Sequence, residues 1–477
     1  MNIFQEYEEY DALGLAQLVK QGDISPEELL EAAINRVEKY NPKLNAVVIK
    51  MYDLARASIA KGLPAGPLRG VPFLLKDLGV YYKGVPTSYG SGMFAKTIPD
   101  HDSELVVKYG NAGLVIFGKT NTPEFGLTVS TEPRLFGPCR NPWNLERTSG
   151  GSSGGAAAAV ASGMVPVAHA SDGGGSIRIP SSCCGVFGLK PTRGRISMAP
   201  DAGEGWAGMS MNHVISRTVR DSAAFLDASA GPVPGDPYWA PPPKRPFLIE
   251  VGESPGPLRI AFTTTPPSGA TVDPECIKAT YEAAKLCEEL GHHLEEKAPI
   301  IDQNTLGPAT VTIMNVSTRA ILELQAKELG RELSPDDVEN ITWRAAETGK
   351  AVTATAYFNA IQTIHRTGRQ VARFFMDYDV LLSPVLLKPP ISLGKLNMMT
   401  DDIKQYLSDL SSFFGFTGLH NVTGQPSMSV PLYWTADNLP IGLQFTAKFG
   451  EEALLFRLAF QLETARPWKN RRPVLDS

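Results

Sequence analysis

Two serines lie in glycine-rich segments only 24 residues apart in a chain of 477 residues. Ser152 lies in the segment GGSSGG, and Ser176 follows three consecutive glycines in the segment DGGGSIR. Because glycine has no Cβ and tolerates positive φ, such segments let several backbone N–H groups crowd around one small reacting centre. Glycine also loses more backbone entropy on folding than other residues. Two such segments close together therefore indicate that their geometry serves chemistry.

Acyl transfer is the chemistry that these segments favour. Amide hydrolysis needs a nucleophile, a base that later protonates the leaving amine, and hydrogen-bond donors for the developing oxyanion. Ser176 is the candidate nucleophile, because the N–H groups of its own loop could all point at one oxygen. A glycine turn with a structural serine is the alternative. The candidate oxyanion donors are the backbone N–H groups of Gly173, Gly174, Gly175 and Ser176.

The candidate base is a lysine rather than a histidine. None of the seven histidines lies in a recognisable catalytic motif, whereas Lys76 follows the apolar run VPFLL and precedes Asp77. A lysine in a poorly hydrated pocket has a lowered pKa, because burial disfavours its charged form, and it can then accept a proton. An ion pair between Lys76 and Asp77, or another carboxylate, is the equally supported alternative.

Composition limits the classes of partner that we expect. The formal net charge is −5, so the sequence shows no basic surface for nucleic acid. No apolar run reaches the length of a membrane span, and the acidic N-terminal segment lacks the features of a signal peptide. The five cysteines form no CxxC pair or disulfide framework, which is typical of a reducing compartment. We therefore expect a cytoplasmic protein without a membrane partner.

The elements that must position these residues alternate between strands and helices. A strand over 71–75 would deliver Lys76 at its carboxyl end, and a strand over 165–169 would lead into the second glycine-rich loop. A helix over 156–162 would consist of very small side chains, which let a helix lie close to its neighbours. The alternation favours an α/β fold with a central sheet covered by helices. The proline-rich range 231–257 indicates a surface excursion or linker.

Taken together, VPFLLKD, GGSSGG and DGGGSIR resemble the amidase signature family. That family uses a serine–serine–lysine triad. The resemblance implies that Ser176 is the nucleophile, that Ser152 is a bridging serine with a cis peptide bond, and that Lys76 is the general base. It further implies an acyl-enzyme formed on Ser176, which water then hydrolyses, and a reaction without a metal or cofactor.

The resemblance covers most of the chain and is densest over 68–218. It reappears in the segments NVTGQP, which begins at Asn421, and LPIGLQ, which begins at Leu439. It implies a mixed central β-sheet of about eleven strands, covered on both sides by helices, which is larger than most open sheets. It also implies one amidase domain over 1–477, with a catalytic core at about 65–220 and a more variable, substrate-shaping region at about 231–420.

Residues next to the triad are expected to support it. Ser153 is placed to hydrogen-bond within the serine network, and Asp172 and Arg178 flank the loop of the nucleophile and are expected to pair and hold its shape. Three aromatic residues are candidates for an acyl pocket, although a place in the core is at least as well supported for each. These are Phe125, Phe136 and Trp206.

The chain departs from the family pattern at two places. Gly173 stands where most members have threonine or a similar residue. The segment Ser210-Met211-Asn212-His213 replaces the Ser-Leu-Asp-Gln that is common in glutamyl-tRNA amidotransferase A subunits, which argues against a tRNA-linked glutaminase. The chain is more similar to stand-alone members such as 6-aminohexanoate cyclic dimer hydrolases and aryl-acylamidases. We therefore expect a small aryl, aliphatic or cyclic amide as substrate, and leave a homodimer open.

Two other functions remain as alternatives. GGSSG also satisfies the G-x-S-x-G pattern of α/β-hydrolases, in which Ser152 would attack and His420 would be the base of an esterase. That hypothesis leaves Lys76 and the second glycine-rich loop without a role. An amidase-like subunit that is active only within a complex is the second alternative. The segment GGSSGG lacks the lysine and the following hydroxyl residue of a P-loop, which argues against a nucleotide site. The sequence has no HExxH motif and no Cys/His cluster, which argues against a metal site.

Overall fold

The computed structural model of the protein describes residues 4–475, and a mixed β-sheet of eleven strands runs through this part of the chain. The expected α/β fold, with a mixed central sheet of about eleven strands and helices on both sides, is confirmed. Two further strands form a separate hairpin. The strands are β1 (Val47–Lys50), β2 (Pro72–Lys76), β3 (Val115–Thr120), β4 (Arg140–Asn141), β5 (Asn144–Thr148), β6 (Val167–Asp172), β7 (Phe187–Lys190), β8 (Met211–Ser216), β9 (Arg259–Phe262), β10 (His293–Glu296), β11 (Val380–Pro384), β12 (Ser427–Trp434) and β13 (Pro440–Ala447).

Fifteen α-helices surround the sheet within the described residues. The first long helix begins with a capping box, in which the Ser25 side chain accepts from the backbone N–H of Glu28 and the Glu28 carboxylate accepts from that of Ser25. The helices are α1 (Ala12–Gln21), α2 (Pro26–Leu44), α3 (Tyr52–Ala60), α4 (Glu104–Asn111), α5 (Gly154–Ala161), α6 (Arg178–Cys184), α7 (Val219–Ser229), α8 (Phe247–Glu250), α9 (Pro274–Glu289), α10 (Gln303–Glu328), α11 (Asn340–Lys350), α12 (Ala354–Asp377), α13 (Ile403–Ser411), α14 (Gly418–Thr423) and α15 (Glu452–Ala465).

The strand order places the two glycine-rich loops at the carboxyl ends of neighbouring strands. The order is β1-β3-β2-β6-β8-β7-β12-β13-β11-β9-β10. Strands β3, β2 and β6 are mutually parallel, with Lys76 opposite Thr120 and Leu74 opposite Ala168. Parallel strands have their carboxyl ends on the same side of the sheet, so Lys76 at the end of β2 lies beside the end of β6. The loop of Ser176 leaves the sheet from that end of β6.

Strands from the two halves of the chain join in this one sheet. Strand β12 pairs antiparallel with β7, and β11, β9 and β10 complete the far side. The proline-rich range 231–257 contributes no strand, but it is anchored: Phe247 is buried, and Glu250 accepts hydrogen bonds from Arg245 and Arg457. Helix α10 packs against both α11 and α12. No helix within residues 4–475 is both long and apolar enough to cross a membrane.

Helix α5 lies unusually close to the sheet because its side chains are small. All its residues, Gly154–Ala161, are buried. A Cβ on Gly155 would lie 2.4 Å from the backbone nitrogen of Asn121 and 2.6 Å from the carbonyl oxygen of Ala46. Both neighbours are backbone atoms, so neither can move aside cheaply. Helix α5 follows Ser152 directly, and its close approach therefore fixes the position of that serine.

The Gly155→Ala variant tests this packing. We expect it to lower the free energy of unfolding by about 1–3 kcal/mol, the usual cost of overpacking a tight interior, as measured by urea denaturation. Gly110→Ala in helix α4 is the matched control, because its Cβ would meet no atom within 4 Å and alanine is the better helix former. Equal unfolding midpoints for the two variants would show that the close approach of α5 is unimportant.

Candidate active site

The amine of Lys76 is buried between two serine hydroxyls. Lys76 Nζ lies 2.7 Å from Ser152 Oγ and 3.0 Å from Ser171 Oγ, and the side chain is 0% exposed. Burial lowers the pKa of Lys76 to about 7, although the charge of Asp172 partly opposes this effect. A substantial fraction of the amine is therefore uncharged at neutral pH, as a general base requires. The sequence gives no signal for Ser171, because its contact with Lys76 depends on the register of β6.

The alternative ion pair between Lys76 and Asp77 is not observed. The Asp77 carboxylate accepts the backbone N–H of Ser88 at 3.1 Å and lies 3.8 Å from Lys119 Nζ. Burial raises the pKa of Asp77 to about 6, against the lowering effects of Lys119 and Ser88. Strand β2 ends at Lys76, and Asp77 in the bend that follows it is directed to Ser88 and Lys119 rather than to the Lys76 amine.

The first glycine-rich loop presents Ser152 to this amine. The peptide bond between Gly151 and Ser152 is cis, as the family resemblance implied, and the Ser152 side chain is buried. The next residue, Ser153, joins this loop to β6, since its hydroxyl donates to the Ser171 carbonyl at 3.2 Å and accepts the Ser171 N–H at 3.4 Å. A Cβ on Gly150 would lie 2.7 Å from Pro180 Cα in α6, so this loop packs closely on the helix that follows Ser176.

The second glycine-rich loop is closed by a carboxylate. Asp172 Oδ2 accepts the backbone N–H of Ile177 at 3.1 Å, so the loop of Ser176 begins and ends at one side chain. Ser176 is partly exposed, and within residues 4–475 its hydroxyl has no hydrogen-bond partner, Ser152 included. No described group accepts from the four N–H groups at the turn of this loop. They belong to Gly173, Gly174, Gly175 and Ser176.

Asp172 and Arg178 form a buried bidentate pair behind the loop. Arg178 Nε and Nη2 each lie 2.9 Å from a carboxylate oxygen of Asp172, and both side chains are 0% exposed. Burial alone would raise the pKa of Asp172, but Arg178, Lys190 and a hydrogen bond from Asn421 outweigh it and hold the pKa well below its usual range. The pair keeps both charges in a fixed geometry at the base of the loop.

Residues far along the chain complete this network. Arg178 donates to the Thr417 carbonyl at 2.9 Å and to Gln444 Oε1 at 2.8 Å. Asn421 accepts from Arg178 at 2.6 Å and donates to the Asp172 carbonyl at 2.9 Å. Asn421 and Gln444 lie in the two distant segments that carried the family resemblance, so the sequence held a signal for them. It held none for Thr417.

The histidine of the esterase alternative does not join Ser152. His420 is buried in α14, no hydrogen bond connects it to Ser152 in the described part of the chain, and its Nδ1 has no partner there. Burial, reinforced by Arg178 and Lys190, lowers the pKa of His420 well below its ordinary value. The side chain in contact with Ser152 is a lysine.

The three candidate pocket aromatics separate in the structure. Phe125 packs in a cluster with Tyr89 and Phe94, next to Gly126, whose Cβ would lie 2.9 Å from Ser152 Oγ. The ring of Trp206 lies against the second glycine-rich loop. Phe136 instead borders a polar surface hollow of about 450 Å³, on the side of the sheet where β1 ends. Phe136 is therefore not part of the serine–lysine site.

The comparisons with known proteins decide the family. Residues 28–456 match the family model described as Amidase. The chain belongs to the amidase signature family. Among the curated relatives of this amidase is the 6-aminohexanoate-cyclic-dimer hydrolase of Paenarthrobacter ureafaciens, which is 41% identical over 478 residues that cover 98% of this chain and 96% of the relative.

Solved structures agree with this assignment. The structure of 6-aminohexanoate cyclic dimer hydrolase complexed with substrate has a TM-score of 0.92 at 39% identity, covering 98% of this chain and all of the other. A bacterial aryl acylamidase of the amidase signature family has a TM-score of 0.88 at 28% identity, covering 98% and 99%. The amidase described here is an amide hydrolase with the same architecture as these enzymes.

The Asp172→Asn variant tests the buried pair. Replacing the carboxylate leaves the Arg178 charge buried without its counter-ion, a change that typically costs about 3–5 kcal/mol. We expect a correspondingly lower free energy of unfolding in urea and lost turnover. Asp53→Asn is the matched control, because the Asp53 side chain is fully exposed where it meets Arg56, and loss of this surface ion pair should change nothing measurable. Wild-type stability in Asp172→Asn would show that the pair does not hold the loop.

Proposed function

We propose that this amidase cleaves its amide through an acyl-enzyme on Ser176, with Ser152 as the bridging hydroxyl and Lys76 as the general base. The observation that carries the proposal is the buried Lys76 amine, which lies 2.7 Å from Ser152 Oγ and has a pKa of about 7. A charged lysine could only donate to that hydroxyl, whereas an uncharged one can accept its proton. The hydroxyl can then accept a proton from the nucleophile.

The proposed first half-reaction moves one proton through two hydroxyls. As Ser176 Oγ forms a bond to the amide carbonyl carbon, its proton passes to Ser152 and the Ser152 proton passes to Lys76. The transfer requires the two hydroxyls to approach to hydrogen-bond distance, which the partly exposed Ser176 is free to do. Collapse of the tetrahedral intermediate breaks the C–N bond, and the reverse relay returns the proton to the leaving amine.

The oxyanion of the intermediate is proposed to bind at the loop of Ser176. The N–H groups of that loop have no acceptor within residues 4–475, so they are available for a substrate oxygen. Donors that are fixed before the reaction need no reorganisation when charge develops. Removal of one such donor commonly lowers kcat by a factor of about 10²–10³. We propose as donors the N–H groups of Gly173, Gly174, Gly175 and Ser176.

The remaining polar residues are proposed to position this machinery. Ser171 gives the Lys76 amine a second hydrogen-bond partner and so limits its rotation. Ser153 ties the loop of the bridging serine to β6. Asp172 and Arg178 hold the loop of the nucleophile from beneath. In the second half-reaction, water takes the place of the amine, and the same relay activates it.

The substrate is proposed to be a small cyclic or linear aliphatic amide. The supporting observation is the full-length similarity to a hydrolase of the 6-aminohexanoate cyclic dimer. An aryl amide is the second candidate, supported by the similarity to an aryl acylamidase. We propose a catalytic core at about 65–220 and a substrate-shaping region at about 231–420 within a single domain, and a cytoplasmic location. The isolated chain should hydrolyse an aryl amide, which a subunit active only in a complex would not do.

The Ser176→Ala variant tests the nucleophile. We expect turnover of an aryl amide to fall by about 10⁴-fold or more, the usual consequence of removing a nucleophilic serine, with an unchanged unfolding midpoint. A fluorophosphonate should label the wild-type protein at Ser176, as located by peptide mapping. Ser268→Ala, in an exposed loop, is the control and should behave as wild type. Labelling at Ser152 instead would support the esterase alternative.

The pH dependence tests the base. The uncharged amine of Lys76 is the active form, so kcat/KM should be low below pH 6, rise through an apparent pKa of about 7, and level off near pH 8. A series of initial rates at low substrate concentration measures this profile. Ser171→Ala removes an acceptor for the charged amine and should move the rise to lower pH. A rate that is flat from pH 5 to 9, or that falls as pH rises, would exclude Lys76 as the base.

A further inference from the structure

The three glycines before Ser176 face different surroundings. A Cβ on Gly173 would lie 2.7 Å from Cζ3 of Trp206, and one on Gly175 would lie 2.4 Å from Oγ1 of Thr417. A Cβ on Gly174 would meet no atom within 4 Å. The open side of the loop therefore lies in front of Gly174, with an indole ring on one flank and a threonine on the other.

The backbone that carries this indole is strained. Trp206 and Ala207 both have φ of 52°, and Gly208 has φ of 78°, so three consecutive residues adopt the left-handed conformation. For residues with a Cβ this costs about 1–2 kcal/mol each. Bulky residues hold such a conformation only where surrounding contacts enforce it, and strain of this kind is concentrated at functional sites.

The surrounding contacts do enforce it. Arg193 donates to the Gly208 carbonyl, and the Ser210 N–H donates to the Gly205 carbonyl at 3.1 Å. Asn421 Nδ2 donates to the Met209 carbonyl at 3.0 Å. Through its other contacts, Asn421 also holds Asp172. One side chain thus holds both the segment that follows the indole and the base of the nucleophile loop.

Trp206 connects that loop to the region proposed to shape the substrate pocket. Trp206 packs on an apolar cluster that includes Ile313 of α10, Ile364 of α12 and Leu419 of α14. Only part of the Trp206 side chain is buried in this way. Because Trp206 packs on this cluster and its ring lies against Gly173, no room is left between the ring and the loop.

We propose that Trp206 is a specificity-determining residue that selects amides whose acyl chain is unbranched at the carbon next to the carbonyl. The inference rests on the proposed function of Ser176, since it takes the carbonyl to bind beside Gly174. An acyl chain of methylene groups is narrow enough to leave that position past the indole. A methyl branch on the first carbon would point at the space that the ring already fills, as a Cβ on Gly173 would.

Paired substrates test the selection. The p-nitroanilides of hexanoic acid and 2-methylhexanoic acid differ only in that branch. We expect the wild-type kcat/KM for the straight chain to exceed that for the branched chain by at least about tenfold, within the range that one methyl group is worth in a closed pocket. Trp206→Ala should reduce this ratio at least tenfold and raise KM for the straight chain more than it lowers kcat. Trp206→Phe should give an intermediate ratio.

Trp239→Ala is the matched control, because that indole is 66% exposed. The ratio of kcat/KM for the straight and branched substrates in this variant should equal that of wild type. Gly173→Ala should lower kcat/KM for the straight chain at least tenfold in the wild-type background and less than twofold in the Trp206→Ala background, since the clash is then removed. Unchanged ratios in both Trp206 variants, or equal losses in both backgrounds, would overturn the proposal. Failure of the proposed function is distinguished separately, because Ser176 would then not be labelled by a fluorophosphonate.

Discussion

The site depends on keeping one amine out of water. Transfer of a lysine into the interior costs free energy as long as the side chain stays charged, so burial itself moves the equilibrium toward the neutral form. Two serine hydroxyls satisfy the polar group in either state, because a hydroxyl both donates and accepts. A carboxylate in their place would have raised the pKa of the amine and kept it charged at neutral pH, so that it could not accept a proton. The carboxylate next in sequence, that of Asp77, is directed to Ser88 and Lys119 instead.

The sheet creates this environment through its topology. Three parallel strands end at one edge, and an apolar strand carries the amine into the space beneath two loops. Helix α5 has almost no side-chain volume, so the first of these loops can lie directly against the sheet. The charged residues that support the site are kept behind the second loop, where Asp172 neutralises Arg178 without facing the lysine at hydrogen-bond distance.

The base and the two loops of the site could be predicted from the sequence, because each is marked by residues that are close together in the chain. The run VPFLLK places a lysine at the end of an apolar strand, and glycine clusters mark both loops within 24 residues. The strand was expected over 71–75 and extends over Pro72–Lys76, so the base belongs to the sheet itself. Strands β7 and β8 did not follow from alternation. Strand β8 is buried on both faces although it carries Asn212 and His213, so its polar residues do not mark a solvent side.

The other features of the site could not be predicted, because they depend on contacts between distant parts of the chain. The role of Ser171 depends on register, and the position of Trp206 depends on a left-handed turn held by Arg193 and Asn421. Neither property can be read from spacing. The same applies to the candidate pocket aromatic Phe136, which is close in sequence to the first glycine-rich loop but borders a surface hollow with Lys50 and Arg140.

The four partners of the Arg178 guanidinium have a consequence for how the enzyme is made. Three of them, Thr417, Asn421 and Gln444, lie more than 200 residues downstream. Both glycine-rich loops are therefore synthesised long before the downstream groups that fix the loop of Ser176. A nascent or prematurely terminated chain would hold the serines and the lysine but lack an ordered nucleophile loop, so hydrolytic capacity would arise only when synthesis is nearly finished.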